Sequence, residues 1–379
     1  MRLLWLTENY PPRRGGMAQA CDRIVDNLRK SGFIIDLVFF SCTAGETRLS
    51  ERRHGREMVV AVGDSPGHDL NCLYNLLTRP GIRESYDGIV AFGGNLPVLA
   101  LPVFKAWFKC HAFTLLRGND FDLGIFVPQR RLALSDAIKA SQTVCVLSEE
   151  LRQRVADFYP GAVVATIPNG IDPDLWHAET FDHESAAAWR ATNLDPSRVL
   201  VGMIGQFKAK KGGLFLLENA LRAGFAGNFH FVIIGDIEDP LQEWLEAHHE
   251  ELCLSRFPFT DRFELISHYL ACDYIALPSH YDGMPNVLLE AGALGKPVIA
   301  ARTGGIAEVL PPAMLPLTFH PGDAGECRQA LNNALSLSPD QRESAGLALK
   351  IRINDEFNAT RETAAYKRIF SAPPKGTTP

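Results

Sequence analysis

Three loops in this sequence gather residue types that handle phosphate groups and hydroxyl-rich molecules. The most specific runs Pro278-Ser279-His280-Tyr281-Asp282-Gly283-Met284-Pro285-Asn286-Val287-Leu288-Leu289-Glu290-Ala291. An apolar run ends at Leu277, and a Gly/Pro loop then leads into a predicted helix starting near Asn286. The first N–H groups of a helix have no intrahelical acceptor, so they offer donors to phosphate and sugar oxygens. Asp282 in the loop and Glu290 one turn inside the helix can address opposite ends of a bound molecule. Glu290 stands among Val287, Leu288, Leu289 and Ala291, where a carboxylate requires a polar partner such as ribose hydroxyls. A capping Asp and a salt-bridged Glu are the plainer alternative. The second loop, Gly205-Gln206-Phe207-Lys208-Ala209-Lys210-Lys211-Gly212-Gly213, sets three lysines beside a glycine pair. Lysine is a point charge suited to pyrophosphate, although the order GxxxxGK[ST] is absent and a solvated basic loop has the same composition. The third, Glu8-Asn9-Tyr10-Pro11-Pro12-Arg13-Arg14-Gly15-Gly16-Met17, puts two glycines at a helix entrance without forming GxGxxG. A further Gly-rich turn, Thr303-Gly304-Gly305-Ile306-Ala307-Glu308, follows Gly295-Lys296-Pro297-Val298.

These loops need strands and helices to hold them. Short β-rich runs are predicted at Leu3–Leu6, Ile34–Phe40, Met58–Val62, Gly88–Phe92, Ala112–Leu116, Thr143–Leu147 and Val163–Ile167. Helical stretches such as Met17–Lys30 and Ser148–Phe158 lie between them. The rhythm restarts with Val199–Ile204, Phe229–Ile234, Tyr274–Leu277 and Val298–Ala300, with helices around Gly213–Ala223, Glu264–Ala271, Asn286–Leu294 and Gly325–Ser336. Near-continuous apolar strands between helices imply parallel sheets covered on both faces. The expected division is a first domain over 1–180, a second over 181–355, and a helix over 356–379 that returns to the first and ends in a frayed tail. The polar segment Ala178–Pro196 reads as the crossover, and the helical stretch Pro339–Phe370 is expected to break near Asn354-Asp355. Arg48–Arg56 reads as a basic loop, solvated or turned toward an anionic lipid surface. Two tandem units of this kind predict a ligand in the cleft between them, at the carboxyl ends of the strands.

Composition narrows the function further. Of 379 residues, 46% are hydrophobic, which is ample for packed cores. The formal net charge is −6, carried entirely by the residues after 180, and it argues against nucleic acid as a partner. Eight cysteines include no CxxC pair and read as free thiols of a reducing cytoplasm. The N-terminal Met1–Glu8 reads as a buried strand, because its apolar run stops at Thr7-Glu8. Leu96–Phe108, the longest apolar stretch, contains two prolines and Lys105 and is too short to span a bilayer. A cytoplasmic location follows, with peripheral contact at the inner face of a membrane left open.

Taken in order, these segments resemble the retaining, nucleotide-sugar-dependent glycosyltransferases of family 4. The resemblance rests on Tyr10-Pro11-Pro12 with Gly15-Gly16, Ser148-Glu149, Ile167-Pro168-Asn169-Gly170-Ile171-Asp172, Gly205 through Lys211-Gly212, Asp273-Tyr274 to Pro278-Ser279, Asp282 to Glu290, and the two Gly-rich segments after it. It implies an α/β GT-B fold: two Rossmann-like, doubly wound parallel-sheet domains facing across a cleft. It also implies that Lys211 binds the donor diphosphate, with Gly205, Gln206 and Lys208 in the same loop. Gly16, next to Gly15, approaches the β-phosphate. Met284, Pro285, Asn286, Val287 and Leu288 form the helix entrance, whose backbone donates to the phosphates. Glu290 holds the ribose, and Asp282 lies beside the donor sugar.

Three positions depart from the family pattern. Asp282 replaces the usual Glu, Gln206 stands where Arg is common, and Leu116-Arg117-Gly118-Asn119-Asp120 replaces a segment that often carries His, with His111 lying earlier. Arg117, Asn119 and Asp120 are therefore expected to face donor or acceptor. Asn119 and Asp120 join Asp282, Lys211 and Gly16 in the expected catalytic set. The implied reaction moves a hexose from a UDP- or GDP-linked donor to an acceptor hydroxyl with retention, using no metal and no cofactor beyond the donor. The acceptor is a carbohydrate, a lipid-linked sugar or a small molecule. The alternatives are another GT-B enzyme, acting as a sugar-nucleotide epimerase or hydrolase, and a non-catalytic nucleotide-sugar-binding subunit.

Overall fold

The computed structural model of the chain describes residues 1–63 and 65–372, without the side chain of Asn119. Backbone proximity divides it into two units. The first comprises Met1–Asn169 and the segment from Ala359 onward, and the second comprises Gly170–Asn358. The chain thus leaves the first unit about ten residues earlier than expected. Ile171 is held in the second unit by donating its N–H to the Phe357 carbonyl at 2.9 Å.

In the first unit the order is β1 (Arg2–Thr7), α1 (Gly16–Lys30), β2 (Ile34–Ser41), β3 (Arg48–Arg52), β4 (Gly55–Ala61), α2 (Pro66–Leu77), β5 (Gly88–Phe92) and α3 (Leu96–Phe108). It continues with β6 (His111–Leu115), α4 (Asn119–Asp122), α5 (Pro128–Ala140), β7 (Thr143–Val146), α6 (Glu149–Phe158) and β8 (Val164–Thr166). The eight strands are ordered β3-β4-β2-β1-β5-β6-β7-β8, and all are parallel except the edge strand β3. Period-two alternation along β1 supplies both faces of this sheet. Leu4 and Leu6 pack with Leu73, Leu76 and Leu101 from α2 and α3. Leu3 and Trp5 pack with Ile24, Val25 and Leu28 from α1.

The second unit opens with α7 (Thr180–Asn193), β9 (Val199–Ile204), α8 (Gly213–Arg222), β10 (Phe229–Ile234), α9 (Asp239–Ala247), β11 (Cys253–Phe257) and α10 (Arg262–Ala271). It closes with β12 (Tyr274–Leu277), α11 (Asn286–Ala293), β13 (Val298–Ala301), α12 (Gly304–Val309), β14 (Thr318–Phe319), α13 (Ala324–Ser336) and α14 (Pro339–Glu356). Its six strands are all parallel, ordered β11-β10-β9-β12-β13-β14. The final helix, α15 (Ala359–Phe370), belongs to the first unit. Tyr366 and Phe370 enter the core beneath Trp5 and Phe113, and Arg23 of α1 pairs with the buried Glu362 at 3.0 Å.

Two sheets of parallel, helix-flanked strands agree with the α/β expectation. Several local readings change. The stretch 48–56 is a β-hairpin, and two of its four arginines are closely paired: Arg52 with Glu57 at 2.8 Å, and Arg56 with Glu51 at 3.0 Å and with Glu84 at 3.4 Å. Charged and polar side chains on a fully exposed edge strand hide it from an apolar pattern search. The polar crossover contains α7, closed by a reciprocal capping box between Glu179 and Asp182. The long C-terminal helix breaks at Phe357-Asn358, a few residues after the expected point, and β11 was not anticipated. The tail beyond Ala372 lies outside the described residues.

Phe370 is 2% exposed and meets the Phe113 ring edge-on at 4.9 Å. Phe370→Ala should therefore destabilise the first unit by about 3–5 kcal/mol, read as a lower midpoint in urea unfolding. An unchanged midpoint would mean that α15 adds nothing to the core.

Candidate functional site

In the second unit, three adjacent strands β9, β12 and β13 deliver their carboxyl-end loops to one place. The loop after β9 is pinned by buried Phe207, whose N–H donates to the Asp236 carbonyl at 2.8 Å. Gln206 and Lys208 point outward and are exposed, and Gly205 forms the turn with φ 124°. Lys211 closes a short 3-10 turn over Ala209–Lys211, and its N–H donates to the Lys208 carbonyl at 2.8 Å. Gly212 follows at φ 67°, where an added Cβ would lie 2.0 Å from the Pro278 carbonyl oxygen. His280 N–H donates to the Lys210 carbonyl at 2.8 Å, joining this loop to the one after β12. The Lys210 ammonium lies 5.6 Å from the centre of the Tyr281 ring.

The third loop packs in the same way. Gly304 has φ 49°, and a Cβ there would fall 2.0 Å from the Asp282 carbonyl oxygen. Gly305 N–H donates to the Gly283 carbonyl at 2.6 Å. This packing brings the side chains of Asp282 and Lys211, 71 positions apart, into a direct ion pair. Met284 and Pro285 are buried behind it, and Pro285 serves as the N-cap of α11 without a side-chain cap. Asn286, Val287 and Leu288 form the first turn.

Glu290 is 6% exposed. Its Oε2 accepts a hydrogen bond from the Tyr269 hydroxyl at 2.6 Å. Burial, reinforced by the neighbouring Glu290 charge, pushes the Tyr269 phenol well above its ordinary range. Tyr269 is therefore a fixed donor, and its ring also meets Trp176 edge-on at 5.9 Å.

In the first unit, Asp120 and Glu8 bond backbone N–H groups around the Gly94-Asn95 turn. Asp120 accepts from Gly94 N–H at 2.9 Å and from Arg117 N–H at 2.8 Å. Desolvation raises its carboxyl pKa, and these backbone donors partly offset the shift. Glu8 accepts from Asn95 N–H at 3.1 Å and Leu96 N–H at 2.7 Å, capping α3. Arg117 is 7% exposed. Its guanidinium lies 4.8 Å from the Phe92 ring centre, donates to the Tyr366 hydroxyl at 3.2 Å and bonds Asn169 Oδ1. Asn119 contributes the first backbone turn of α4, and its side chain lies outside the described residues. Gly15 is the N-cap of α1 at φ 116°, and Gly16, which is exposed, begins the helix.

The structure thus gathers Lys211, Asp282, Gly205 and the α11 entrance at one edge of the second sheet. In the first unit, Arg117 and Asp120 are engaged in the scaffold around the loop after β5. Tyr269, Glu8 and Tyr366 were not anticipated as parts of either constellation. Only the requirement that buried Glu290 find a donor pointed toward Tyr269, without naming it.

Comparison with known proteins completes the description. The family profile described as "Glycosyl transferases group 1" matches residues 198–336. Alpha-maltose-1-phosphate synthase of Mycolicibacterium smegmatis is 30% identical over 97% of this chain and 100% of its own. In fold, the chain is similar to sucrose-phosphate synthase from Thermosynechococcus elongatus, with TM-score 0.82, 18% identity, and coverage of 98% of this chain and 100% of that one. It is also similar to Anabaena HepE in complex with UDP and glucose, with TM-score 0.76, 16% identity, and coverage of 98% and 99%.

Gly304→Ala tests the loop packing, because the new Cβ would collide with backbone rather than with a movable side-chain tip. A loss of about 2 kcal/mol in denaturant unfolding is expected, together with displacement of Asp282 from Lys211 in a crystal structure. A variant of wild-type stability with the ion pair intact would refute the close approach.

Proposed function

This chain belongs to the group 1 glycosyltransferases of GT-B fold, and we propose that it moves a hexose from a UDP-linked donor to a hydroxyl of a carbohydrate acceptor, with retention at the anomeric carbon. The observation that carries this reading is the placement of Lys211, Asp282 and the α11 entrance in one constellation, with buried Glu290 one turn into the same helix. The UDP assignment draws on the HepE complex, and a GDP-linked donor is the competing outcome of a binding screen. The alpha-maltose-1-phosphate synthase relative names a phosphorylated sugar as its product, which places phosphorylated sugars first among acceptors to be tried.

In this proposal the donor diphosphate sits over the first turn of α11, and Lys211 reaches it. An ammonium has three donors, so Lys211 can keep Asp282 and still bond a phosphate oxygen. Asp282 holds the lysine in place before the donor arrives, which removes a reorganisation step from the reaction. As the bond from the anomeric carbon to the phosphate oxygen breaks, negative charge grows on the diphosphate. Lys211 and the helix N–H groups stand where it develops. The acceptor oxygen bonds the same face of that carbon, and its proton passes to the departing phosphate oxygen. Glu290, steadied by Tyr269, accepts from the ribose hydroxyls. Lys211 and the helix N-terminus supply the positive charge, so the reading requires no metal and predicts that chelator leaves the rate unchanged.

Lys211→Ala should lower kcat by roughly 10²–10³ with a smaller effect on donor KM. Wild-type turnover in that variant would remove the lysine from the mechanism. Glu290→Gln should weaken nucleotide binding by roughly tenfold or more, measured by calorimetry with UDP and GDP side by side. Product analysis separates the alternatives: loss of donor without a glycosylated product would identify a hydrolase or epimerase, and binding without turnover a non-catalytic subunit.

A further inference from the structure

The segment that follows Asp120 exposes more apolar side chain than its surroundings require. Phe126 is 79% exposed, Leu132 68%, and Leu123 and Val127 42% each. They occupy the short turn between α4 and α5 and the first turns of α5. Every residue from Phe126 to Leu132 is exposed, and this run includes Arg130 and Arg131. Neither arginine forms an ion pair with a carboxylate among the described residues. Asp122, just upstream, is held by Arg154 at 2.6 Å, and Arg154 also binds Glu150. Asp136 and Lys139, further along α5, are exposed and opposite in sign. The basic hairpin at 48–56 differs in kind, because Leu49 is its one exposed large apolar side chain and its Arg52 and Arg56 are matched by acids.

We propose that this segment docks the protein on an anionic phospholipid surface. Protruding apolar side chains interleaved with uncompensated arginines match an interface of acyl boundary and negative headgroups. The chain as a whole carries −6, so this local cationic patch stands against the bulk charge rather than following from it. No helix among the described residues is long and apolar enough to cross a membrane, so the contact is peripheral. The segment is also continuous with the loop carrying Arg117 and Asp120, at the carboxyl end of β6. A second copy of the chain could cover the same apolar residues, but it would have to bring acids to both arginines.

Co-sedimentation with vesicles tests this without relying on the catalytic reading. The full chain should bind phosphatidylcholine vesicles containing phosphatidylglycerol, and bind pure phosphatidylcholine far less. Phe126→Ser with Leu132→Ser should reduce binding by about tenfold or more. Arg130→Gln with Arg131→Gln should reduce it roughly fivefold for each charge and flatten the salt dependence. Because these side chains are exposed, circular dichroism and Tm should match wild type, which separates lost docking from lost fold. The proposal fails if wild type ignores anionic vesicles, if it binds neutral ones equally, or if the apolar variant still binds. It also fails if sedimentation shows a wild-type dimer that the serine variant dissociates.

Discussion

Backbone presses on backbone at the carboxyl edge of the second sheet, and the candidate site depends on that contact. Where Gly212 meets the Pro278 carbonyl and Gly304 meets the Asp282 carbonyl, no side chain larger than hydrogen fits, and both glycines sit at positive φ. Such a contact costs conformational entropy that other residues would not lose. In return, three loops from neighbouring strands share one surface. Lys211 and Asp282 are joined because their backbones are held, and the ion pair would lose its geometry if either loop moved.

Acids beside the glycine turns of the two units bond different kinds of partner. In the first, Glu8 and Asp120 accept backbone N–H groups and so fix the Gly93-Gly94-Asn95 turn and the start of α3. Those carboxylates are structural acceptors, occupying the donors that a bound anion would otherwise seek. In the second, the entrance of α11 carries no side-chain cap, and the acids stand beside it: Asp282 against Lys211, and Glu290 against Tyr269. One pattern fixes a turn through backbone donors, and the other sets acids beside a helix entrance that has no side-chain cap.

Charge follows the same division between local and global. The net negative charge belongs to the second half of the sequence, where a dianionic donor is proposed to bind. Beyond roughly 8–10 Å such charges are screened at physiological salt. In the proposed site Lys211 and the helix dipole would act within contact distance, so the bulk sign need not match that of the ligand. The arginines of the α5 segment obey the same rule, because pairing with nearby acids and not net charge determines which basic side chains remain available.

The apolar runs by themselves determined the architecture, because a buried parallel strand must be apolar on both faces. Gly88–Phe92, Val199–Ile204, Phe229–Ile234 and Tyr274–Leu277 coincide with strands for that reason. The Asp282–Glu290 stretch and the lysine loop, both singled out from residue types alone, meet in the structure through the Lys211–Asp282 pair. Tertiary structure decided what the sequence pattern left open. Arg48–Arg52 pairs as an edge strand because a neighbour supplies its hydrogen bonds, not because its residues are apolar. Tyr269 becomes the partner of Glu290, and Tyr366 that of Arg117, across 21 and 249 positions respectively. A buried charge must find a donor or acceptor, but which residue provides it depends on how the helices pack. Local sequence holds no record of that.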